Sequence, residues 1–315
     1  MTPATGSAPA STVARTEGRS IDLGAGPCLA IDIGGTKIDV GIVTQDGEIL
    51  DRLVVPTDRS LSADLLLGSI LSAADHLAVR TSIAPVACGV GCGGPMESGG
   101  ASVSPLNIPA WRSFPLHGRL VGALRMPVTV DNDAKALALG EGWLGAAKQS
   151  RNYLAMVVST GIGGGIVLDG RLLDGAKSNA GHIGHLVVEP GGRRCACGVR
   201  GCLEAEASGT AIRALTGRPA ADASPSDIDR CGEMVGRAVA SVVTLLDLEL
   251  CVVAGSVALG FGARFFDAAN RSMRSVLGLD YTAGAEIRPA GLGSDGPLLG
   301  AARVGLLGGA TTVDS

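Results

Sequence analysis

The sequence predicts an α/β protein built as two related lobes around a shared cleft, with a metal-binding loop in the second lobe. Three observations carry that prediction. LAIDIGGTKIDVGIV, from Leu29, and LAMVVSTGIGGGIV, from Leu154, repeat one pattern of strand, glycine-rich turn and strand, although two ordinary hairpins would read the same way. Apolar strand-like runs alternate with segments of helical period, the order of an α/β fold. Residues 181–204, GHIGHLVVEPGGRRCACGVRGCLE, gather imidazoles and thiols in a glycine-rich loop.

The elements follow in order. Residues 1–27 are rich in Ala, Ser, Thr, Gly and Pro without any period, and are expected to be a disordered tail. A first lobe is expected over 28–148. It opens with PCLAIDIGGTKIDVGIVTQDGEILDRLVV, read as three strands joined by a glycine turn and a QDG turn. Residues 61–80 carry Leu65, Ile70, Leu71, Ala74 and Leu77 at helical spacing. VACGVGCGGPM reads as a buried strand running into a glycine loop, followed by VSPLNIPAW. MPVTVDNDAKALALGEGWLG reads as a short strand, a turn and a helix capped by Asn132 or Asp133.

A second lobe is expected over 149–315. YLAMVVSTGIGGGIVLDGRLL is again strand, glycine turn, strand, and the metal motif occupies 185–202. Residues 205–215 and 229–248 read as helices, the second with Val235, Val239, Val242 and Leu246 on one face. ELCVVAGSVA is a strand entering a glycine turn, and GPLLGAARVGLL is a closing helix.

Composition limits the partners. The chain has 315 residues, enough for a sizeable core, and its 48 glycines imply many tight turns and close backbone approaches. A formal net charge of −4 and only 3% aromatic residues argue against nucleic acid and against an anionic membrane surface. No stretch approaches the roughly 18 apolar residues of a membrane span, and MTPATGSAPASTVARTEGRS lacks the apolar run of a signal peptide. These readings place the chain in the cytoplasm, with its eight cysteines reduced.

His185, Cys195, Cys197 and Cys202 form the metal motif: three thiolates and one imidazole complete a closed, structural tetrahedral zinc shell. A chance cluster of buried thiols, or a disulfide, is the plainer alternative. A metal clip would also hold Glu204 and His182 rigidly beside it, where they could face a substrate. Otherwise Glu204 is a helix-start carboxylate and His182 a surface or supporting histidine.

The two hairpins suit phosphate, because glycine lets backbone N–H groups close on its oxygens. Asp32 precedes Gly34 and Gly35, where a carboxylate could position Mg²⁺ through water; Thr36 offers a hydroxyl and Lys37 a positive charge. Thr160, Gly161, Gly163 and Gly164 could wrap further phosphates. Neither hairpin is a P-loop or a dinucleotide fingerprint. Asp133 is the candidate base, standing where a strand gives way to a helix. Asp131 competes by proximity, and either Asp133 or Asn132 could simply cap the helix. Asn107, in PLNIPAW, could bind a sugar hydroxyl or serve as a turn asparagine.

DIGGTK at 32–37, GCGGPM, PLNIPAW, VDNDAKALALGE, STGIGGGI and GHIGH…CACGVRGCLEAEASG, in that order, closely resemble the ROK family of bacterial sugar kinases and repressors. The match covers nearly everything from residue 28 onward. The resemblance implies the actin-like, hexokinase-like duplicated two-lobe fold (ribonuclease H-like), with sugar, ATP and Mg²⁺ in the cleft and the zinc clip shaping the sugar pocket. It implies Asp133 as catalytic base and Asp32 as the metal–nucleotide carboxylate. Asn107, Asn132, Asp133, Glu204 and His185 become sugar contacts, with His185 also a zinc ligand beside Cys195, Cys197 and Cys202. Gly255 falls in a nucleotide-side loop. Assembly as a homodimer or homotetramer is also implied.

Two departures bear on function. Where many family members have GEIGH this chain has GHIGH, so His182 replaces a glutamate that accepts a sugar hydroxyl. A histidine there also occurs in some N-acetylmannosamine kinases, which implies a pocket tuned away from plain glucose or tolerant of several sugars. Family repressors carry a helix-turn-helix domain before DIGGTK, and 27 residues are too few for one. The expected activity is therefore phosphorylation by ATP of the 6-hydroxyl of a hexose or N-acylhexosamine, glucose or N-acetylmannosamine foremost. The alternative is a non-catalytic sugar sensor of the same family, for which a base and two phosphate loops would have no use.

Overall fold

The computed structural model describes residues 26–308; all but Gly26 and Pro27 of the expected N-terminal tail lie outside the described residues. Its first sheet comprises β1 (Cys28–Ile33), β2 (Lys37–Val43), β3 (Ile49–Pro56), β4 (Ala87–Cys92) and β5 (Val128–Asn132). Helices α1 (Ala63–Thr81), α2 (Leu116–Leu124) and α3 (Asp133–Trp143) are interleaved with it. The second sheet comprises β6 (Tyr153–Val158), β7 (Ile162–Leu168), β8 (Arg171–Leu172), β9 (Leu250–Ala254) and β10 (Glu286–Pro289). With it come α4 (Leu203–Ala207), α5 (Gly209–Thr216), α6 (Pro225–Leu246), α7 (Ser256–Phe261), α8 (Ala263–Val276) and α9 (Gly296–Leu307).

The sheet orders are β3-β2-β1-β4-β5 and β10-β9-β6-β7-β8. Read from the equivalent edge they are the same sheet twice. β1 and β6 each pair antiparallel with the next strand in sequence and parallel with the fourth strand of their sheet. The two glycine hairpins of the sequence are thus the β1–β2 and β6–β7 hairpins of a duplicated two-lobe α/β fold.

Burial explains the strand sequences. β4 is buried at every position and β1 at every position but Asp32, the unbroken apolar pattern of central strands covered on both faces. β3, at an edge, alternates toward solvent. Helix α1 begins with Ser62 accepting from the Leu65 amide at 3.3 Å and buries Leu66, Leu67, Ile70, Ala73, Ala74 and Leu77. Leu65, expected on that stripe, is 62% exposed. Helix α6 starts four residues before the expected 229, at a Ser224–Asp227 capping box with Pro225 in its first turn. Helices α2, α7 and α8 and strand β10 go beyond the sequence reading. In α8 only Phe265, Ala268, Ala269 and Met273 are buried, a stripe too narrow to stand out among its polar residues.

Two helices join the two sheets. Helix α9 lies on β1 and β4, and α3 lies on β6 and β7 while touching β4. The approaches are close enough to require glycine. A Cβ on Gly89 would sit 1.9 Å from the Ala301 carbonyl oxygen, and one on Gly165 would sit 2.8 Å from the Ala138 Cβ. Where the helices cross, a Cβ on Gly140 would lie 3.0 Å from the Gly300 Cα. The fully buried Glu141 carboxylate accepts from the amides of Ala146, Gly291 and Leu292 at 2.8, 2.9 and 3.1 Å. It locks the end of α3 to the turn that leads into α9.

Candidate active site and metal centre

Strands β1, β4 and β5 run parallel, so their carboxyl ends open together, the usual place for a site in an α/β sheet. Asp32 pairs in register with Gly91, and Gly91 with Asp131. Gly91 leaves a gap. From the position its Cβ would take, Asp32 Oδ1 and the Cα of Asp133 are each 3.5 Å away.

Strand β5 passes directly into α3 without the expected turn: Asn132 is both the last strand residue and the helix cap. Its Oδ1 accepts from the Ala134 amide at 3.0 Å, and Asp133 Oδ1 accepts from the same amide at 2.9 Å. One oxygen of each side chain is thereby held. Asp133 Oδ2 is left toward Gly93, 3.7 Å from where a Cβ there would lie. The Asn132 Nδ2 is left toward Gly94, 3.5 Å from the corresponding point. Asp131 is otherwise engaged, its Oδ1 lying 2.8 Å from the Lys135 ammonium.

The electrostatics are those of two desolvated carboxylates. Burial foremost, then the charges of Asp133 and Asp39, push Asp32 up to about 7, against the weaker pull of Lys37 and Arg52. Burial likewise raises Asp133, opposed by the amides at the start of α3 and, when its ring is protonated, by His182. Among the described residues no hydrogen bond holds the Asp32 carboxylate. An uncompensated carboxylate beside a second one suits a divalent cation, whose charge would draw both back to the ionised form.

The first hairpin is held at its base. Gly34 donates to the Lys37 carbonyl at 3.0 Å, Thr57 Oγ1 donates to the Gly34 carbonyl at 2.7 Å, and the Thr57 amide donates to the Thr36 carbonyl at 3.1 Å. Thr36 and Lys37 are exposed. A Cβ on Gly35 would sit 2.4 Å from the Asn107 Cβ, so this glycine lets the loop of Asn107 press against the hairpin. That loop is organised by Arg112, whose guanidinium donates to the carbonyls of Pro105, Ile108 and Trp111 at 2.6, 3.2 and 3.2 Å.

The second hairpin is tied to helices α5 and α7. The Thr160 carbonyl accepts from Thr210 Oγ1 at 2.9 Å, and Ser159 Oγ lies 3.0 Å from Ser256 Oγ. Gly255 has φ of 100°, and a Cβ there would be 2.3 Å from the Val158 carbonyl oxygen, so the β9–α7 turn admits only glycine. Gly163 and Gly164 have a packing reason of their own: Cβ atoms there would meet Ala134 at 3.2 Å and Ile183 at 3.0 Å. Glu204 joins this hairpin, its Oε2 accepting from the Ile162 amide at 3.0 Å.

His182 and His185 lie face to face, ring centroids 6.2 Å apart. His182 Nδ1 is 2.9 Å from the Asn179 carbonyl, which can only accept. Nδ1 therefore carries the proton, and in the neutral ring Nε2 is an acceptor. That Nε2 points past Gly94, 3.9 Å from where its Cβ would be. The ligand atoms of His185, Cys195, Cys197 and Cys202 all lie within 4.8 Å of one another. His185 Nδ1 is 3.6 Å from Cys195 Sγ, and Cys197 Sγ is 3.6 Å from Cys202 Sγ. Such spacings surround a tetrahedral ion with bonds of roughly 2.0–2.3 Å, so the donor set fits zinc.

Beyond the residues singled out from the sequence, Gly93 and Gly94 face Asp133, Asn132 and His182, and Asn179 orients the histidine. The double glycine of GCGGPM was the available signal. Asn179 gave none, because its part is played by a backbone carbonyl.

The ROK family model matches residues 28–305. The chain is 34% identical over 308 residues to a glucokinase of Halalkalibacterium halodurans, covering 86% of this chain and 92% of that protein. It is 32% identical over 293 residues to an N-acetylmannosamine kinase of Haemophilus influenzae, covering 87% and 94%. It superposes with a TM-score of 0.78 and 28% identity on a ROK family glucokinase from Streptomyces griseus solved with glucose and AMPPNP, covering 89% of this chain and 99% of that one.

Proposed function

The chain belongs to the ROK family, and on that premise we propose that it is an ATP-dependent kinase phosphorylating the 6-hydroxyl of a hexose or N-acylhexosamine. Glucose and N-acetylmannosamine are the foremost substrates, since relatives named for both share about a third of its sequence, at 34% and 32% identity. The observation that carries the reading is the pair of desolvated carboxylates, Asp32 and Asp133, around Gly91 at the carboxyl ends of the parallel strands.

Asp133 is the base. With Oδ1 held by the Ala134 amide, Oδ2 is the atom that takes the proton from the sugar hydroxyl as the oxygen attacks phosphorus. Asn132 Nδ2, Asn107, Glu204 and His185 orient the sugar, and His182 Nε2 offers a neutral acceptor where family members with glutamate offer a charged one. Asp32 with Gly34, Gly35, Thr36 and Lys37 on one side, and Thr160, Gly161, Gly163 and Gly255 on the other, form the nucleotide side. Asp32 is the residue that would hold Mg²⁺, which when bound neutralises phosphate charge. His185, Cys195, Cys197 and Cys202 would hold a structural zinc that stiffens the loop beside the sugar.

Among the described residues no helix is long and apolar enough to cross a membrane, and we place the enzyme in the cytoplasm, as a homodimer or homotetramer, without nucleic acid or membrane as partner. Replacing the base tests the reading. Asp133→Ala lowers kcat by about 10²–10⁴-fold or more while sugar binding, measured by calorimetry, survives. Wild-type turnover in that variant overturns the assignment.

A further inference from the structure

Two residues beyond the base, Lys135 is almost wholly buried, its side chain 1% exposed, at the start of α3. Its ammonium lies 2.8 Å from Asp131 Oδ1 on β5 and 2.6 Å from Asp174 Oδ1, in the segment after β8. From Asp174 the connections continue. Asp174 Oδ2 accepts from the Ser178 hydroxyl at 3.0 Å, and the Asp174 carbonyl accepts from the Ala180 amide at 3.0 Å. Ser178 Oγ also lies 2.9 Å from Ser98 Oγ, and Asn179 Nδ2 donates to the Met96 carbonyl at 3.3 Å, both on the loop after β4. The same Asn179 holds the His182 ring through its own carbonyl.

A buried ammonium is a costly way to fill space on a helix, since burying an ion costs several kcal/mol before its partners offset it. Asp131 and Asp174 more than compensate: burial alone would lower the ammonium, yet the two carboxylates raise it above its ordinary value, so it stays charged. An apolar side chain would suit the packing better. What the cation supplies instead is a fixed distance between three chain segments: the end of β5, the start of α3 and the loop that carries His182.

Resting on the kinase reading above, we propose that Lys135 is a positioning residue, which through Asp174 sets the loop 174–182, and with it His182, against Asp133 across the sugar pocket. Its action falls on sugar affinity. The loop meets the second glycine hairpin at Gly181, against Gly164 and Gly165 on β7, and not at the 159–161 turn, so nucleotide affinity is spared.

The test works from the solvent end, because Asp174 is 49% exposed and Asp131 still pairs with the buried ammonium when Asp174 is replaced. Binding of glucose and of N-acetylmannosamine is measured by calorimetry, and KM for sugar and for ATP by ADP release, in wild type, Asp174→Ala, Asp174→Glu and Ser178→Ala. Asp174→Ala weakens the sugar by about tenfold, less than the roughly hundredfold that a misplacement of about 1 Å can cost, leaves KM for ATP within about twofold, and is partly rescued in Asp174→Glu. Ser178→Ala shows a smaller loss of the same kind. Variants that bind sugar as wild type does and only melt earlier overturn the proposal and leave the kinase reading standing. A wild-type chain that binds neither sugar and turns over neither overturns both.

Discussion

At the scale of single residues, the account turns on two carboxylates that the fold holds at a cost. Asp32 is raised from 3.8 to about 7 by burial and by the charge of Asp133. Its folded value lies above its unfolded one, so the folded state binds the extra proton and stability falls as pH rises between those values. Asp32→Asn removes that penalty. The variant melts at a higher temperature than wild type at pH 8 without nucleotide, the gain shrinks toward pH 4, and activity is lost. A variant that melts no higher at pH 8 contradicts the desolvated site. Asp133 stood out in the sequence as a candidate from its place between strand and helix, and the rivalry of Asp131 and the capping alternative were visible too, but nothing local decided between them. Only the structure shows Asp131 held by Lys135, and Asn132 and Asp133 sharing the Ala134 amide with one atom of each left over.

At the scale of elements, what the sequence states plainly is whatever depends on neighbours in the chain. The strands of both hairpins, the helical stripe of α1 apart from the exposed Leu65, and the ligand spacing of the Cys/His loop are local patterns, and each is found where it was expected. Glycines are different, because one letter serves several purposes. Gly35 admits Asn107, Gly255 holds a φ of 100°, Gly163 admits α3, and Gly140 meets α9 across the molecule. No local signal separates these. Gly140→Val should force α3 off α9 at a 3.0 Å contact with the Gly300 backbone and destabilise the fold by about 1–3 kcal/mol in denaturant unfolding; an unchanged midpoint contradicts the crossing. The zinc loop predicts one zinc per chain by elemental analysis and a lower melting temperature after chelation. Active, freshly purified protein free of metal contradicts it.

At the scale of the whole molecule, two copies of one sheet are joined through helices α3 and α9, which pack on each other, α9 lying on the first sheet and α3 on the second. Asp133, the proposed base, stands at the start of one of those helices, and His182, proposed to face the sugar, hangs from a loop of the second lobe that is tied back to that helix through Lys135 and Asp174. Burial at the cleft raises the electrostatic worth of each polar group there, which is why positioning and charge, rather than covalent chemistry, suffice for phosphoryl transfer. The duplication was visible in the sequence as a weak echo, because hairpins that keep a backbone path keep few side chains in common. The measurement that tests the account most directly is ADP release with Mg-ATP, zinc retained, across a panel of hexoses and N-acetylhexosamines. Turnover on one or two sugars is the predicted result, and it shows what His182 selects. Silence across the panel, with a sugar still stabilising the protein to heat, would contradict the kinase and leave a sugar sensor in its place.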